Sequence, residues 1–554
     1  MSTTSSAPEE LEARVEAYRE ALCQEMGLEQ PEVQHFKRPH ERAFAPVEQG
    51  GTTLVYCGLT PTHEEIVLGV LEAMDYKAQR LPVPDQEALA IGKEFCNRGQ
   101  CNPTYYTVGN LLKFLFEARR QGLSNEEIEN SYALFWGADC GPCRMGMYEA
   151  DLRKALKSAG FPNFRIVMLD IAHGLDVHQE SAGVQMTPRA FLRLAKAAMA
   201  ADLVNDLVCQ LRPYEVKQGE TDVVMEEARQ TLRTAIREGT SVAAALRRLK
   251  KRFSQIEVDY LRVKPRVKIT GEFFLKHSEG DSNHRLMRWL EEEGAELMLD
   301  LVGAWFEYMV WLNELKVRDR LWVKPDKQGM EGANPWLVWG GLRLGKAAYE
   351  AVYTYYRFLL NFKPEALPPM GRLDRYSEGY YEKRLIAGEG HLEVTKHIWM
   401  TLHAKAHMMI TVKPFGCMPS TISDGVQAKV VTDLADAIFV PIETTGDGEV
   451  LVKSRVQMKL QEAKEKAREE MERVLDGYGV TLEEIRAFAR KHPKLTNAMR
   501  RLPHQPGLVS TAANFAADMA RRMGRRQKKG ALASQLRPRK AIAYRGAAGR
   551  PEGQ

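Results

Sequence analysis

The sequence lacks long apolar runs. Its 554 residues contain no stretch near the roughly 20 uncharged apolar residues that a membrane-spanning helix needs. The first 22 residues are polar and acidic, unlike the basic and apolar start of a secretory signal. We therefore expect a cytoplasmic protein that does not contact a membrane.

Cysteine is scarce, with eight residues in the chain, and there is no repeat of collagen or solenoid type. A small disulfide scaffold is excluded, because such proteins are short and dense in cysteine. The hydrophobic fraction of 44% and the charged fraction of 27% are those of an ordinary globular protein. At roughly 150 residues per domain, the length predicts three or four folding units.

Acidic residues are almost absent from the last 34 positions, where eleven Lys and Arg accompany Glu552 alone. The net charge of +5 therefore belongs to this tail, and the rest of the chain carries −5. The composition of residues 521–554 predicts a basic, disordered tail. Charge alone would let it touch nucleic acid, but a solubilising role is the simpler interpretation, so no specific nucleic-acid partner is expected.

Short apolar runs alternate with helical patterns, which predicts the α/β class with Rossmann-like parallel-sheet lobes joined by helical segments. We expect the cysteine loops to converge between the lobes. The predicted order is an N-terminal helix and linker (1–50), a first α/β lobe (51–188), a helical segment (189–264), a second lobe with a helix-rich insert (265–400), a final α/β unit (401–480), a helical C-terminal region (481–520) and the basic tail (521–554).

Four of the eight cysteines form two pairs within 48 positions, each pair between a predicted strand and a helix. Cys96 and Cys101 are separated by four residues, and Cys140 and Cys143 by two. Thiolates at helix N-termini face backbone N–H groups and the positive end of the helix dipole, which lower the pKa of a thiol. Loops at one edge of a parallel sheet would bring the four thiolates together.

Four thiolates without histidine suit an iron–sulfur cluster. A structural zinc site with four cysteines is the main alternative, and buried free cysteines are the simplest one. The run Cys140-Gly-Pro-Cys143 also has the spacing of a dithiol oxidoreductase site. Cys417 follows another predicted strand and could add a ligand from the second α/β unit.

Two other motifs are weaker. Residues 340–347 imitate a phosphate loop, but Ala347 stands where a hydroxyl would hold Mg²⁺, so a turn into a helix is the better prediction. His403 and His407 have metal spacing but lack the glutamate of a zinc protease motif, and we interpret them as packing or surface residues.

Four strings resemble one family closely: GLTPTHEE (58–65), GKEFCNRGQCNPTYYTVGNL (92–111), GADCGPCRMGMYEADLRKAL (137–156) and KPFGCMPS (413–420). They are similar to activase-related proteins of the 2-hydroxyacyl-CoA dehydratase / benzoyl-CoA reductase superfamily, over about residues 52–475. In that family, an ATP-hydrolysing activase passes low-potential electrons to a cysteine-ligated iron–sulfur partner. Residues 303–400 and the tail have no counterpart in the resemblance.

The resemblance implies an iron–sulfur electron-transfer or reductase component whose cluster cysteines are Cys96, Cys101, Cys140, Cys143 and Cys417. A single [4Fe–4S] cluster is expected, and a larger cluster would need a further ligand such as Cys57. The chain lacks the ATPase region of an activase, so that partner would be another polypeptide. An acyl-CoA substrate is implied, although nothing in the sequence marks a CoA pocket, and homodimers are common among the relatives.

Overall fold

A computed structural model of the chain describes residues 51–138, 143–170, 187–322, 334–385, 388–434 and 437–527, with a few positions before residue 51. Residues 1–42 form one compact unit and residues 43–554 a second. Most of the predicted N-terminal helix and linker, and residues 528–554 of the predicted tail, lie outside the described residues. In the described part, no helix is long and apolar enough to cross a membrane.

Two sheets of four parallel strands organise the larger unit, which confirms the predicted α/β class. The first sheet has the order β2-β1-β3-β4, and the second has the order β6-β5-β7-β8. The strands are β1 (Thr53–Tyr56), β2 (Lys77–Arg80), β3 (Tyr132–Ala138), β4 (Arg165–Asp170), β5 (Arg266–Gly271), β6 (Glu296–Met298), β7 (Met408–Pro414) and β8 (Ile438–Thr444).

Helices connect the strands and pack around the sheets, as parallel pairing requires. Those of the described residues are α1 (Pro61–Glu72), α2 (Gln86–Phe95), α3 (Asn102–Arg120), α4 (Asn125–Ser131), α5 (Tyr148–Ser158), α6 (Pro188–Leu211), α7 (Glu220–Arg237), α8 (Val242–Phe253), α9 (Phe273–His277), α10 (Leu286–Glu292), α11 (Val302–Arg318), α12 (Pro335–Leu359), α13 (Met370–Ser377), α14 (Gly390–Leu402), α15 (Met418–Asp433), α16 (Glu449–Tyr478), α17 (Leu482–Lys491) and α18 (Thr511–Arg522).

One apolar core joins the two sheets. It contains Val55 and Leu134 from the first sheet together with Val267 and Ile410 from the second, all at most 2% exposed. A second core is built largely from helices and includes Leu207 of α6. Because the strands of each sheet are parallel, their carboxyl ends lie along a single edge, where ligand sites of such sheets usually form.

The strands of the second sheet come from residues 265–400 and from residues 401–480, which are predicted above as two units. Strand β5 pairs with β6 on one side and with β7 on the other. The register sets Gly271 opposite Val412, so the ends of β5 and β7 are level. These two segments therefore build one lobe.

Two helix predictions differ from the structure. The apolar periodicity of residues 221–249 predicts one helix, but this segment is divided into α7 and α8, because Gly239 takes a positive φ of 68° and Ser241 caps the next helix. The turn predicted at 340–347 is wrong, since these residues lie inside the continuous helix α12. Each glycine there costs only about 1 kcal/mol of helix propensity, which the length of α12 tolerates.

Candidate functional site

The first cysteine loop depends on close packing of α2 and α3. A Cβ atom on Gly109 would overlap the carbonyl of Ala88, and one on Gly92 would overlap the carbonyl of Tyr105. The absence of both side chains lets the helix backbones meet. The short connection between them, which carries Cys96 and Cys101, is thereby held against the first lobe.

Cys101 stands at the start of α3, as its N-cap residue. Its buried sulfur lies 3.0 Å from the hydroxyl of Tyr148 and 3.5 Å from that of Thr104. Tyr148 begins α5, the helix that follows β3, so Cys101 faces the carboxyl end of β3. The predicted position of Cys101 at a helix start is therefore confirmed.

Cys143 follows β3 and precedes a short 3₁₀ turn, Arg144–Met147. Its half-buried sulfur accepts a hydrogen bond from the backbone N–H of Met145 at 3.5 Å. The guanidinium of Arg144 donates to the carbonyl of Gly99, which ties this loop to the one that carries Cys101. Cys140 lies outside the described residues.

Cys417 occupies the corresponding place in the second lobe. It follows β7 and is the N-cap residue of α15, whereas the sequence pattern predicts a helix only from Asp424. Its buried sulfur accepts a hydrogen bond from the hydroxyl of Ser420 at 3.2 Å. Gly416, with a positive φ of 76°, turns the chain from the strand into this helix.

The loops of the two lobes touch. The amide of Asn102 donates to the carbonyl of Thr444 at the end of β8, over 2.7 Å. The backbone N–H of Phe415 donates to the same carbonyl at 3.0 Å. The carbonyl oxygen of Gln100 lies 4.0 Å from the point where a Cβ atom on Gly416 would stand. The segments that carry Cys101 and Cys417 are therefore neighbours at the carboxyl edges of the two sheets.

Glu272 is the charged group that these three cysteines share. Burial raises the pKa of the thiols of Cys101, Cys143 and Cys417, reaching about 12 for Cys143, and the negative charge of Glu272 raises each of them further. For Cys143, Cys101 contributes in the same direction. The expected lowering of thiol pKa by helix N-termini is therefore outweighed for these thiols, because they are shielded from water beside carboxyl groups.

Glu272 belongs to a group of carboxyl side chains around the thiols. It follows β5 and caps α9 by accepting from the N–H groups of Phe274 and Leu275 at 3.1 and 2.9 Å. Burial and the neighbouring Glu389 raise the pKa of Glu272 to about 7. Burial likewise raises the pKa of Glu393, also to about 7, while Ser423 donates to it at 2.8 Å.

Buried lysines balance these acids. Lys276 lies 3.6 Å from Glu389 and 3.6 Å from Asp300. Asp300 in turn lies 2.6 Å from Lys268 and 2.8 Å from Lys396. Sequence reasoning did not identify this network, because its members come from β5, α9, α14 and the end of β6. The only signal was the glutamate directly after the Gly271 that ends β5.

Cys96 does not share the charge of Glu272 with the other three thiols. It ends α2, and its buried thiol has a pKa raised to about 12 by burial and then by Asp151. Asp151 accepts a hydrogen bond from the amide of Asn97 at 2.6 Å. Cys96 therefore lies near Asp151, one turn further along α5 than Tyr148, which contacts the sulfur of Cys101.

Two further cysteines of the described residues, Cys209 and Cys57, do not share the charge of Glu272. Cys209 is 3% exposed on α6 and belongs to the core. Cys57 follows β1 in a half-buried loop, and burial followed by Glu64 raises the pKa of its thiol to about 12. Cys57 thus sits at the carboxyl edge of the first sheet without sharing the field of Glu272.

Neither the family models nor the curated proteins yield a match to this chain. Function must therefore be inferred from the site itself. Its donor chemistry fits a thiolate-bound metal centre, since the three thiols come from neighbouring loops of the two lobes and Cys140 stands three positions before Cys143 in the sequence. As placed, no group of three or more His, Cys, Asp or Glu side chains among the described residues is close enough to hold a metal ion.

Proposed function

We propose that the protein is a cytoplasmic iron–sulfur electron-transfer or reductase component, which receives low-potential electrons from an ATP-dependent activase on a separate chain. The observation that carries the proposal is the meeting of Cys101, Cys143 and Cys417, from both lobes, around Glu272. Cys140 would complete a set of four thiolates for a [4Fe–4S] cluster. When bound, such a cluster supplies one-electron transfer.

The surroundings favour a low potential. Burial raises the pKa of Glu272, Glu389 and Glu393, so negative charge beside the thiols is costly even with buried lysines nearby. An electron accepted here would therefore be held weakly, which suits delivery from a donor driven by ATP. An acyl-CoA would be the substrate class if the site also carries out reduction, as the family resemblance implies.

The charges also bear on a dithiol exchange mechanism. The nucleophile in such an exchange is a thiolate, so an exchange cysteine needs a lowered pKa. The pKa of Cys143 is instead raised to about 12, because the thiol is shielded from water beside Glu389 and Glu272. The surroundings of Cys143 thus favour metal ligation, in which the metal displaces the proton.

Iron analysis tests the proposal. The full chain is purified without oxygen, and iron and acid-labile sulfide per chain are measured, with an EPR spectrum after dithionite reduction. Matched iron and sulfide are expected, with loss of most of both in Cys101→Ala and in Cys417→Ala. Cys209→Ala is the control, because Cys209 is a buried core cysteine away from the loops.

The variant Cys96→Ala tests whether Cys96 is one of the cluster ligands. We expect this variant to keep its iron and its EPR signal, since Cys96 faces Asp151 rather than Glu272. Loss of the cluster in Cys96→Ala would return Cys96 to the ligands that the family resemblance implies. Zinc without sulfide would instead support a structural metal scaffold, and protein without metal would contradict the proposal.

A further inference from the structure

A cavity of about 380 Å³ lies at the opposite, amino edge of the second sheet. Arg266, the first residue of β5, and Glu296, the first residue of β6, form its floor. The turn after α12 and a segment before α18 form its walls, and Lys405 borders it in the connection before β7. This cavity has a size typical of small-molecule sites.

Cations dominate the lining. Five Arg and Lys side chains face two glutamates, with a histidine beside them: Arg266, Arg357, Lys363, Lys405, Arg501 and His504, against Glu296 and Glu365. A concentration of positive charge in a concave surface attracts anions and focuses the field within it.

Arg266 donates hydrogen bonds to both glutamates. Glu296 accepts from Arg266 at 3.1 Å, and also from the hydroxyls of Tyr214 and Thr511 at 2.8 and 2.6 Å. Glu365 accepts from Arg266 at 3.3 Å. Five cations therefore face two glutamates, and among the described residues only Arg266 of these five hydrogen-bonds to them.

The other four cations have no carboxylate partner among the described residues. Lys363 donates to the hydroxyl of Tyr260 at 3.2 Å, and Arg357 donates to the carbonyl of Pro364 at 2.8 Å, both neutral acceptors. Lys405 and Arg501 form no ion pair within the described part of the chain. Four cations thus surround one space with donors to spare.

The cations also repel one another. Burial lowers the pKa of Lys405, the charge of Glu365 opposes this shift, and the charges of Arg266 and Arg501 add to it. Burial, Lys405 and Arg266 lower the pKa of His504 to about 4, so His504 is neutral at pH 7. An anion in the cavity would relieve this repulsion, which gives binding a source of free energy beyond its direct hydrogen bonds.

The two walls are tied together. The amide of Asn361 donates to the carbonyl of Met499 at 3.2 Å. Asn361 and Phe362 both take positive φ in the turn after α12, which forms the first of these walls. Phe362, Leu502 and Pro503 add an apolar surface to the lining. A ligand with a charged and an apolar part would match both kinds of surface.

We propose that this cavity binds a small molecule that carries a phosphoryl or pyrophosphoryl group, such as a nucleoside diphosphate. Arginine forks and lysine ammonium groups are the side chains that recognise phosphate, and their number here suits more than one negative charge. The inference goes beyond the proposed function and does not require a cluster, because the six residues of β5 separate this cavity from the thiols by about 20 Å.

Calorimetric titration of the full-length protein tests the site. Pyrophosphate, ADP and coenzyme A are titrated in turn, with citrate as a multiply charged anion that lacks phosphate. We expect saturable binding of the phosphates, weakened about tenfold or more in Lys405→Gln and in Arg501→Gln. Lys494→Gln is the matched control, because it removes an exposed charge from the C-terminal region without lining the cavity.

The outcomes separate the sources of the phosphate. Tighter binding of coenzyme A than of ADP would assign the cavity to the coenzyme, and the reverse would assign it to a free nucleotide. Equal binding of citrate and pyrophosphate, or unchanged binding in both variants, would overturn the proposal. If a variant fails to fold, the melting temperature of the wild-type protein is measured with pyrophosphate and with sodium chloride of equal ionic strength. The proposal requires a larger rise with pyrophosphate, and an equal or smaller rise would overturn it.

Discussion

The two edges of the second sheet bury different mixtures of charge, although the same parallel strands form both: acids balanced by lysines lie near the thiols, and a surplus of cations lines the cavity at the other edge. At the carboxyl edge, carboxyl groups surround thiols, and burial raises the pKa of Glu272 and Cys417. At the amino edge, arginines and lysines crowd together, and burial lowers the pKa of Lys405. At each edge, burial thus disfavours the charged form of the side chains: the carboxylate and thiolate at the carboxyl edge, and the ammonium at the amino edge. The first edge gains from a bound cation, and the second gains from a bound anion.

Asp300→Asn should break the balance at the carboxyl edge with the largest effect. Burial alone would raise the pKa of Asp300, but Lys268, Lys396 and Lys276 hold it well below its usual range. The variant leaves three buried lysines without their shared carboxylate, so we expect a loss of about 3–5 kcal/mol in the free energy of unfolding. Urea unfolding at pH 7 measures it.

The control for Asp300→Asn is Asp433→Asn, which removes a pair with the exposed Lys429 at 2.6 Å. That loss should be much smaller, because an exposed ion pair is screened by water. In wild-type protein, the contribution of Asp300 is present above the pKa of an unfolded aspartate, about 4, and is lost as the pH falls below it. Equal losses in the two variants would contradict the prediction.

Gly271→Ala should disturb the junction where β5 meets the acidic edge. Gly271 has a φ of 124°, and a Cβ atom there would overlap the carbonyl of Val412. We expect a loss of about 2–4 kcal/mol in the free energy of unfolding. Gly341→Ala, inside α12 with open space around it, should instead change stability by at most about 1 kcal/mol, toward greater stability.

Glu272→Gln should change the pH dependence of stability in the metal-free protein. The folded pKa of about 7 lies above the ordinary value of 4.5, so wild-type protein loses stability as the pH rises through this window. The variant should be more stable than wild type at pH 8, by up to about 2 kcal/mol, and equal to it at pH 4.5. Thermal melts at the two pH values measure this, and parallel profiles would rule it out.

Lys405→Gln makes the matching change at the basic edge, with the smallest effect. Because burial disfavours the charge of Lys405 more than Glu365 favours it, a neutral side chain should raise the free energy of unfolding by about 0.5 kcal/mol at low salt. The variant would then be more stable and yet bind phosphate less well. A loss of stability at low salt, or a gain that Lys494→Gln reproduces, would contradict this.

Local patterns predicted the strands and the position of Cys101 and Cys417 at helix starts, because a strand, a turn and a helix follow one another within about ten residues. They could not show that the charge of Glu272 acts on Cys101 and the charge of Asp151 on Cys96. Both cysteines lie in one short segment, and only its packing in the folded protein decides which charged groups are near each sulfur. The pairing of Asp300 with three lysines was equally out of reach. Its members are spread over about 130 residues, and only the completed second sheet brings them together.

The hydrogen bond from Asn102 to the carbonyl of Thr444 has a consequence for synthesis of the chain. Its two ends are 342 residues apart in sequence. At roughly 5–20 residues per second, a ribosome needs about 20–70 s to pass from one to the other. For most of that interval Cys101 and Cys143 exist without Cys417. The enclosed thiol site can form only after β8 has left the ribosome, so any metal would have to be loaded onto a nearly finished chain.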